Sequence, residues 1–311
     1  MNFQTMDYFI AVAEERSFTR AAARLSVTQQ TLSAHIAGVE RELGVRLLER
    51  RVPLSLTHAG EVFLGYARRF QGERRTMGRE FMDIAGDQRG LLGVGIASTR
   101  GHMLMPEAVS RFQELRPGID VRLVEAENQE LVELLRQGAV DLVVATVDAD
   151  EPGLVVRELR RERVVLLVSE GLLRQLLGGG WEAVAREVER TGSLAALADC
   201  PFMLLGRGDE PGDLSRRILG RSGVPPRPRV ESKNSETLVE LAARGVGACF
   251  VPDDLARSAL AAHPGSDLRA IGLGEGAGIS VSLAWRESRH VWGVIESFAD
   301  LLEEQVSAAK G

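Results

Sequence analysis

The polar residues between positions 17 and 42 have the types and the spacing needed to bind DNA. Apolar residues at helical spacing, from Leu32 to Leu43, predict a helix that begins after Thr28, whose hydroxyl can accept a backbone N–H at the helix N-terminus. The other faces of that helix carry a set of outward and flanking residues, namely Gln29, Gln30, Ser33, Ala34, Ala37 and Arg41. Glutamine can bond an adenine edge bidentately in the major groove, and a hydroxyl can bond bases or phosphates. The alternative interpretation is a small helical bundle with a solvated polar face.

The elements that would position these residues form a helix-turn-helix. An alanine-rich helix over 19–25, a break at 26–27 and a second helix that ends at Gly44 are typical of that motif. Residues 50–57 follow with β-type alternation around a proline turn, so Arg50 and Arg51 are predicted to contact the DNA backbone or minor groove as a wing. Arg20 and Arg24 are candidates for further phosphate contacts.

The spacing of the residues favours neither a catalytic site nor a metal site. The five histidines have no metal-ligand spacing, and there is no Gly-x-Ser-x-Gly nucleophile elbow. The glycine-rich run 272–278 precedes a predicted strand, whereas a dinucleotide loop precedes a helix. We therefore expect no cofactor and interpret Cys200 and Cys249 as core residues. The alternative is an enzyme on a binding-protein-like scaffold, which predicts turnover that depends on Cys200, Cys249 or His102.

Length and composition are those of a globular protein with more than one domain. The chain has 311 residues, 44% of them hydrophobic, and a net charge of −6. Residues 1–58 and 59–90 each carry one more arginine than acidic residues, so the acidic excess lies in the remainder. A weakly positive N-terminal part favours a local anionic partner. The absence of a secretory signal, of an apolar run of ~18 residues and of a disulfide framework predicts a cytoplasmic protein without a membrane contact.

The chain divides into three stretches: 1–58, a helical run at 59–88, and 91–311. A seven-residue repeat in the helical run predicts a seam for a partner helix, formed by Phe63, Phe70, Met77 and Ile84. Gly65, Gly72 and Gly78 each cost about 1 kcal/mol relative to alanine, so this helix is expected to need a partner.

The third stretch alternates apolar strands with helices. Predicted strands lie at 91–97, 121–125, 142–146, 164–169, 202–205, 248–251 and 281–285, and predicted helices at 103–115, 131–137, 214–221, 236–244 and 291–305. This alternation favours an α/β architecture with ligands at the carboxyl ends of strands. The segment 170–193 predicts an amphipathic helix after residue 180. Its role as a packing helix or as a subunit contact stays open.

The segments Ser17–Ile36 and Val39–Arg50 together resemble the DNA-binding domain of LysR-type transcriptional regulators. The run 56–60 resembles the closure of that family's wing, and the runs 117–121, 138–142 and 242–247 sit where such proteins carry similar residues. Two positions depart from the family pattern: Gln30 stands where a proline or small residue is frequent, and Ala34 where a basic residue is frequent. The segment Leu48–Thr57 is one residue shorter than the usual wing. The candidate DNA contacts are Thr19, Arg24, Thr28, Gln29, Gln30, Thr31, Ser33, Ala34, His35, Arg50 and Arg51.

The resemblance implies an α/β protein with an N-terminal winged helix-turn-helix, a long linker helix and a C-terminal two-lobed effector domain similar to periplasmic binding proteins. Lobe I would span about 91–161 and 270–311, and lobe II about 162–269. Effector contacts implied by the resemblance are Ser98, Thr99, Arg100, Gly101, Asn128, Thr146, Arg207 and Asn234. Helix capping is the alternative role for Ser98 and Asn128, and simple solvation is the alternative for Arg207.

These features predict a regulator that binds a pseudo-palindromic double-stranded DNA operator as a homodimer or homotetramer. A small-molecule effector, for which an organic anion is preferred, would act by allostery, and RNA polymerase is a further candidate partner. A module that acts through protein partners alone, with the helix-turn-helix as a dimer surface, is the remaining alternative.

Overall fold

The computed structural model describes residues 1–49, 53–84, 89–289 and 291–308 of the chain. Within those ranges, no helix combines the length and the apolar character that crossing a membrane requires. The chain folds into an N-terminal helical domain, a long helix and a two-lobed α/β domain. The order of these parts follows the three stretches of the sequence.

The N-terminal domain contains α1 (Phe3–Glu15), α2 (Phe18–Leu25), α3 (Gln29–Leu43) and a short antiparallel hairpin of β1 (Leu48–Glu49) and β2 (Ser55–Leu56). The first three helices each begin at a side-chain cap, supplied by Asn2, Ser17 and Thr28. Their apolar faces meet in one core, in which Phe9 stacks edge-on against Phe63 at 4.9 Å between ring centroids.

The long helix α4 (His58–Ile84) places its apolar residues differently from the predicted seam. Phe63 is only 8% exposed, because it belongs to the N-terminal core rather than to a seam for a partner. The side chain of Ile84 lies outside the described side chains. The exposed apolar stripe of α4 is instead formed by Val62, Tyr66, Phe70, Met77 and Phe81.

Lobe I is built on a mostly parallel sheet. Its elements are β3 (Gly90–Ile96), α5 (Ser98–Leu115), β4 (Ile119–Glu125), α6 (Asn128–Arg136), β5 (Leu142–Ala145), β11 (Gly278–Arg286) and α12 (Gly293–Ala308). The strand order is β4-β3-β5-β11, in which β11 is antiparallel to β5. The carboxyl ends of β3 and β5 therefore meet at one edge, where a ligand can bind.

Lobe II continues the sheet through one long strand, β6 (Leu154–Ser169). Its other elements are α7 (Glu170–Leu177), α8 (Trp181–Thr191), β7 (Phe202–Leu205), α9 (Glu210–Arg221), β8 (Val230–Ser232), α10 (Ser235–Ala243), β9 (Ala248–Pro252), α11 (Asp253–Ala262) and β10 (Leu268–Gly272). The apolar face of α8 lies in the core of lobe II, with Trp181 9% and Val188 1% exposed. This burial supports the packing role for the segment 170–193.

The two lobes are joined by the long strand β6 and by the connection between β10 and β11. The first part of β6, up to Arg163, pairs with β11, and the part from Val164 onward pairs with β9 and β10. The chain therefore passes into lobe II within β6 and returns between β10 and β11, at 272–278. The return boundary expected at 270 falls inside β10, which pairs with the lobe II part of β6.

Candidate nucleic-acid interface and inter-lobe cleft

The helix α3 is held by local interactions at both ends. The Thr28 hydroxyl accepts the Thr31 backbone N–H at 3.1 Å and also contacts the Thr31 hydroxyl at 2.8 Å. Gly44 closes the helix in the left-handed conformation, with φ of 71°, a geometry that glycine adopts without steric cost. The hydroxyls of Thr28 and Thr31 thus serve the start of the helix, while both residues remain exposed.

One face of α3 presents a shallow, open surface lined by Gln29, Gln30, Ser33, Ala34 and Ala37. We call these five residues the α3 face. Thr19 on α2 donates its hydroxyl to Gln29 Oε1 at 3.3 Å, which leaves the amide N–H groups of Gln29 free to donate. Glutamine amides beside small side chains let this face approach a base edge closely, which suits readout in the major groove.

Two of the other sequence-predicted DNA contacts, His35 and Arg24, lie away from the α3 face. His35 packs against α1, where its Nδ1 lies 3.0 Å from the Thr5 hydroxyl and its ring meets Tyr8 edge-on. Arg24 is paired with Glu14 at 2.8 Å, and that hydrogen bond raises the pKa of the guanidinium. Arg50 and Arg51 lie outside the described residues.

A second site lies where the carboxyl ends of β3 and β5 face lobe II. Thr99, in the first turn of α5, shares a hydrogen bond of 2.9 Å with Ser235 at the start of α10. The N-cap of α5, Ala97, makes no side-chain cap hydrogen bond, so the N–H groups that open the helix have no partner from a cap. Ser98 is the first residue of α5, and Gly101 is buried one turn along the helix.

Arg100 differs from its expected role as an exposed partner for a ligand carboxylate. Its guanidinium is buried, 5% exposed, and Nε donates to Glu162 Oε2 at 3.1 Å. Arg160 donates to the other oxygen of the same carboxylate at 2.7 Å. Because Glu162 fixes the plane of the guanidinium, Arg100 Nη2 is held at a buried position, where it has no hydrogen-bond partner.

Asn128 and Thr146 are brought together although 18 positions separate them. Asn128 is the first residue of α6 but does not cap it, since its Oδ1 accepts the Thr146 backbone N–H at 3.1 Å. This bond connects α6 to the end of β5. The Thr146 hydroxyl oxygen is buried and has no hydrogen-bond partner, so it remains available to a ligand.

The two residues predicted on lobe II have other surroundings. Arg207 is exposed. Asn234 caps α10, since its side chain accepts the Thr237 N–H at 2.8 Å. The neighbouring positions were missed by sequence reasoning: Ser235 bonds across to lobe I, and Lys233 bonds Glu127 of lobe I at 3.0 Å. Both residues flank Asn234, and the strand that they follow, β8, was not predicted from the sequence.

One carboxyl and two thiols of the α/β domain have pKa values raised by burial. Burial raises the pKa of Asp209, which caps α9 and lies near Arg100. Burial also raises the pKa of both thiols, Cys200 and Cys249, to about 12. A thiol with this pKa is a poor nucleophile and a poor metal ligand at neutral pH. Among the described residues, no group of three or more His, Cys, Asp or Glu side chains is placed to hold a metal ion.

Both parts of the chain match known protein families. Residues 3–61 match the family described as bacterial regulatory helix-turn-helix proteins, lysR family, and residues 85–307 match the LysR substrate binding domain. The probable cat1 operon transcriptional activator of Acinetobacter lwoffii is 28% identical over 256 residues, which cover 81% of this chain and 80% of that protein. A probable hydrogen peroxide-inducible genes activator of Mycobacterium avium is 29% identical over 78% of this chain and 75% of its own length.

A solved structure extends the similarity to the whole fold. The full-length regulator CbnR in complex with its target DNA is 25% identical, with a TM-score of 0.64. The match covers 98% of this chain and 99% of CbnR.

Proposed function

Because the chain belongs to the LysR family of transcriptional regulators, we propose that it reads its operator with the α3 face and responds to a small organic anion bound between its lobes. The protein is a DNA-binding transcriptional regulator whose activity a small molecule modulates. Operator binding requires access to the chromosome, so the proposal keeps the cytoplasmic location expected from the sequence.

The α3 face carries the proposal for DNA recognition. Its two glutamines, Gln29 and Gln30, are exposed beside Ala34 and Ala37, so no bulky side chain separates them from a base edge. CbnR, which has the same overall fold, forms a complex with its target DNA. We assign base readout to Gln29, Gln30 and Ser33, and assign His35 and Arg24 to packing and to orientation of the domain.

The exposed stripe of α4 supports a homodimer. Tyr66, Phe70, Met77 and Phe81 are between 43% and 66% exposed and follow one face of a 27-residue helix. A large apolar stripe on a soluble helix favours burial against a partner helix. We propose that α4 pairs with its copy in a second subunit, that dimers associate into tetramers, and that the assembly contacts RNA polymerase at regulated promoters.

The unpartnered donors of the inter-lobe cleft support an anionic effector. Arg100 Nη2 and the Thr146 hydroxyl are both buried without a hydrogen-bond partner, and buried polar groups in this state are uncommon. The uncapped N-terminus of α5 adds N–H donors and a positive helix dipole. A carboxylate that accepts from these groups would satisfy each of them.

The contacts between the lobes suggest how binding is transmitted. The Thr99–Ser235 and Glu127–Lys233 hydrogen bonds connect lobe I directly to lobe II. An effector that replaces these bonds with its own changes the relative stability of the open and closed arrangements. It can shift that equilibrium only by its difference in affinity for the two states.

The thiols receive no sensing role in this proposal. One relative is named for induction by hydrogen peroxide, but peroxide reacts with thiolates, and a pKa of about 12 leaves Cys200 and Cys249 protonated at neutral pH. We therefore assign both cysteines to the core of lobe II.

Gln30→Ala tests the placement of the recognition surface. Selection of genomic fragments by the purified protein first identifies an operator with a dyad. Loss of a bidentate base contact costs about 1–3 kcal/mol, so the variant is expected to bind this operator roughly 5- to 150-fold more weakly. Gln129→Ala, at an exposed position on α6, is the matched control and should bind like the parent.

The salt dependence separates a base contact from a phosphate contact. Gln30→Ala should leave the slope of log K against log salt unchanged, because no charge is removed. An unaltered operator affinity in Gln30→Ala would show that another surface reads the DNA. A parent protein that enriches no genomic site would favour the module that acts through protein partners alone.

A further inference from the structure

The joint between α4 and lobe I encloses a cavity of about 500 Å³. This volume lies within the range of about 300–1,000 Å³ that is usual for small-molecule sites. The cavity is separate from the inter-lobe cleft, since its walls come from α4, the loop before β6, the end of β11 and the start of α12. None of the effector contacts discussed above lines it.

The contacts that hold α4 on lobe I make this cavity a preformed one. Arg79 donates to Asp141 and to the Leu91 carbonyl, the latter at 2.7 Å, and its guanidinium lies 5.1 Å from the Trp292 ring centre. Asp141 is 4% exposed and also accepts the Gly93 N–H at 2.8 Å. With these partners the arginine has little freedom, so the walls on both sides of the cavity are fixed before any ligand arrives.

The floor of the cavity is apolar. Leu154, Val291, Trp292 and Ile295 line it together, and three of them are only partly buried. An indole ring beside branched aliphatic side chains favours a flat, apolar ligand over a flexible polar one. A ligand of one or two rings fits the volume.

The rim of the cavity is rich in arginine. Four arginines line the cavity, against the carboxylates of Glu73, Asp141 and Glu287. Arg79 is paired with Asp141, Arg136 is paired with Glu151, and Arg286 donates to Glu73 at 3.0 Å. Arg69 is exposed, lies 5.6 Å from the centre of the Tyr66 ring and has no carboxylate partner among the described residues.

The surroundings of Arg75 point to the same positive excess. It lies on α4 beside this joint, half-buried, with its Nε unpartnered. Burial lowers the pKa of Arg75, the neighbouring Arg122, Arg79 and Arg286 lower it further, and Asp141 raises it. Three cations against one carboxylate leave a local excess of positive charge beside Arg75, which an anion in the joint would relieve.

We propose that this joint cavity binds a small aromatic anion, with its ring on the apolar floor and its carboxylate or sulfonate toward Arg69. Occupation would act directly on the angle between α4 and lobe I, because both form the walls. Only this regulatory consequence rests on the proposed function. The binding itself is independent of DNA.

The probe for the test is 8-anilinonaphthalene-1-sulfonate, an aromatic anion that fluoresces when its rings leave water. We expect saturable binding of one molecule per chain to the full-length protein. Ile295→Trp places an indole in the cavity and should weaken this binding at least tenfold. Leu123→Trp, at an exposed position on β4, is the control for adding an indole and should leave the affinity unchanged.

A charge variant keeps the test independent of packing. Arg69 is exposed, so Arg69→Glu should fold normally and should weaken binding of the probe severalfold more than Arg186→Glu, at an exposed position on α8 of lobe II. Competition by 2-naphthoate, with little competition by neutral naphthalene-2-methanol, is expected for an anion site. Circular dichroism of each variant confirms that the fold is retained.

Two results would overturn the proposal. Absence of saturable binding by the parent protein excludes the site, and equal binding by Ile295→Trp, Arg69→Glu and their controls places the probe elsewhere. Gln30→Ala separates this question from DNA recognition, because it should lose operator affinity while it binds the probe like the parent.

Discussion

At Gly72, α4 lies close to the backbone of the α/β domain. A Cβ atom at Gly72 would lie 2.9 Å from Gly138 Cα and closer still to the Gln137 carbonyl oxygen. Both neighbours are backbone, in a turn where Gly138 has a φ of +65°, so they cannot rotate away as a side chain would. Gly65 and Gly78, in the same helix, have nothing within 4 Å of the corresponding position.

Gly72→Ala therefore combines two opposing effects. Alanine in a helix interior is more favourable than glycine by about 1 kcal/mol. Contact between carbon atoms needs about 3.5–4.0 Å, so the new methyl group moves α4 away from the turn and separates Arg79 from Asp141. Breaking a buried ion pair costs about 3–5 kcal/mol. The net expectation is a loss of roughly 2–4 kcal/mol from the docking of α4 on lobe I.

The assay compares the same substitution at three glycines of one helix. Gly65→Ala and Gly78→Ala should raise the thermal midpoint by roughly 2–4 °C each, the shift usual for about 1 kcal/mol in a domain of this size. Gly72→Ala should lower it, and small-angle X-ray scattering should show a wider separation of the N-terminal and α/β domains. A midpoint for Gly72→Ala that rises as far as those of its two controls would refute the docked joint.

Three further outcomes are expected from other regions. Cys200 and Cys249 should resist alkylation by iodoacetamide in the native protein at pH 7, because a pKa of about 12 leaves roughly one thiol in 10⁵ ionised. Intact mass spectrometry measures the alkylation, and rapid labelling would contradict the burial of these thiols. Asp209→Asn retains an acceptor for the Gly212 N–H and should raise the free energy of unfolding in urea at pH 7, since burial raises the pKa of this carboxyl and penalises its charged form. That gain should vanish as the pH falls to about 4 and below, where the carboxyl is protonated in both states, and a gain independent of pH would exclude this cause. Ser235→Ala removes one hydrogen bond between the lobes, worth about 1 kcal/mol. The ratio of open to closed arrangements should therefore rise about fivefold, which small-angle X-ray scattering can measure. An unchanged scattering envelope would show that this bond does not hold the lobes together.

The helix-turn-helix was predictable because its determinants are local. Thr28 and Gly44 cap α3 as the sequence indicated, and the stripe from Leu32 to Leu43 faces the domain core at Leu32, Ile36 and Val39. Capping depends on atoms three residues apart, and helical periodicity depends on neighbours within two turns. The exposed α3 face follows from the same pattern.

The seam of α4 was only partly predictable. A seven-residue repeat includes both Phe63 and Phe70, but only the fold assigns Phe63 to the N-terminal core and Phe70 to the exposed stripe. Periodicity states that a residue is apolar on one face. It does not state which of two partners, the domain or a second subunit, that face meets.

The strand β6 shows a similar limit. Its first part, 154–163, is rich in charged residues and was not predicted as a strand, whereas its apolar end at 164–169 was. Glu162 is nevertheless buried, because Arg100 from α5 and Arg160 from β6 both bond to it. Pairing with charges from distant segments makes the burial of Glu162 possible. Local hydropathy cannot predict this burial.

The sequence by itself determined the family, the order of the parts and the exposed α3 face, since each rests on residues within one or two turns of each other. Tertiary structure alone decided the inter-lobe bond of Thr99 with Ser235, 136 positions apart, and the inward turn of Arg100. It also decided the close approach of Gly72 on α4 to Gly138 on lobe I. A local pattern reports how a residue sits on its own helix or strand, while a contact between distant segments depends on how the whole chain packs.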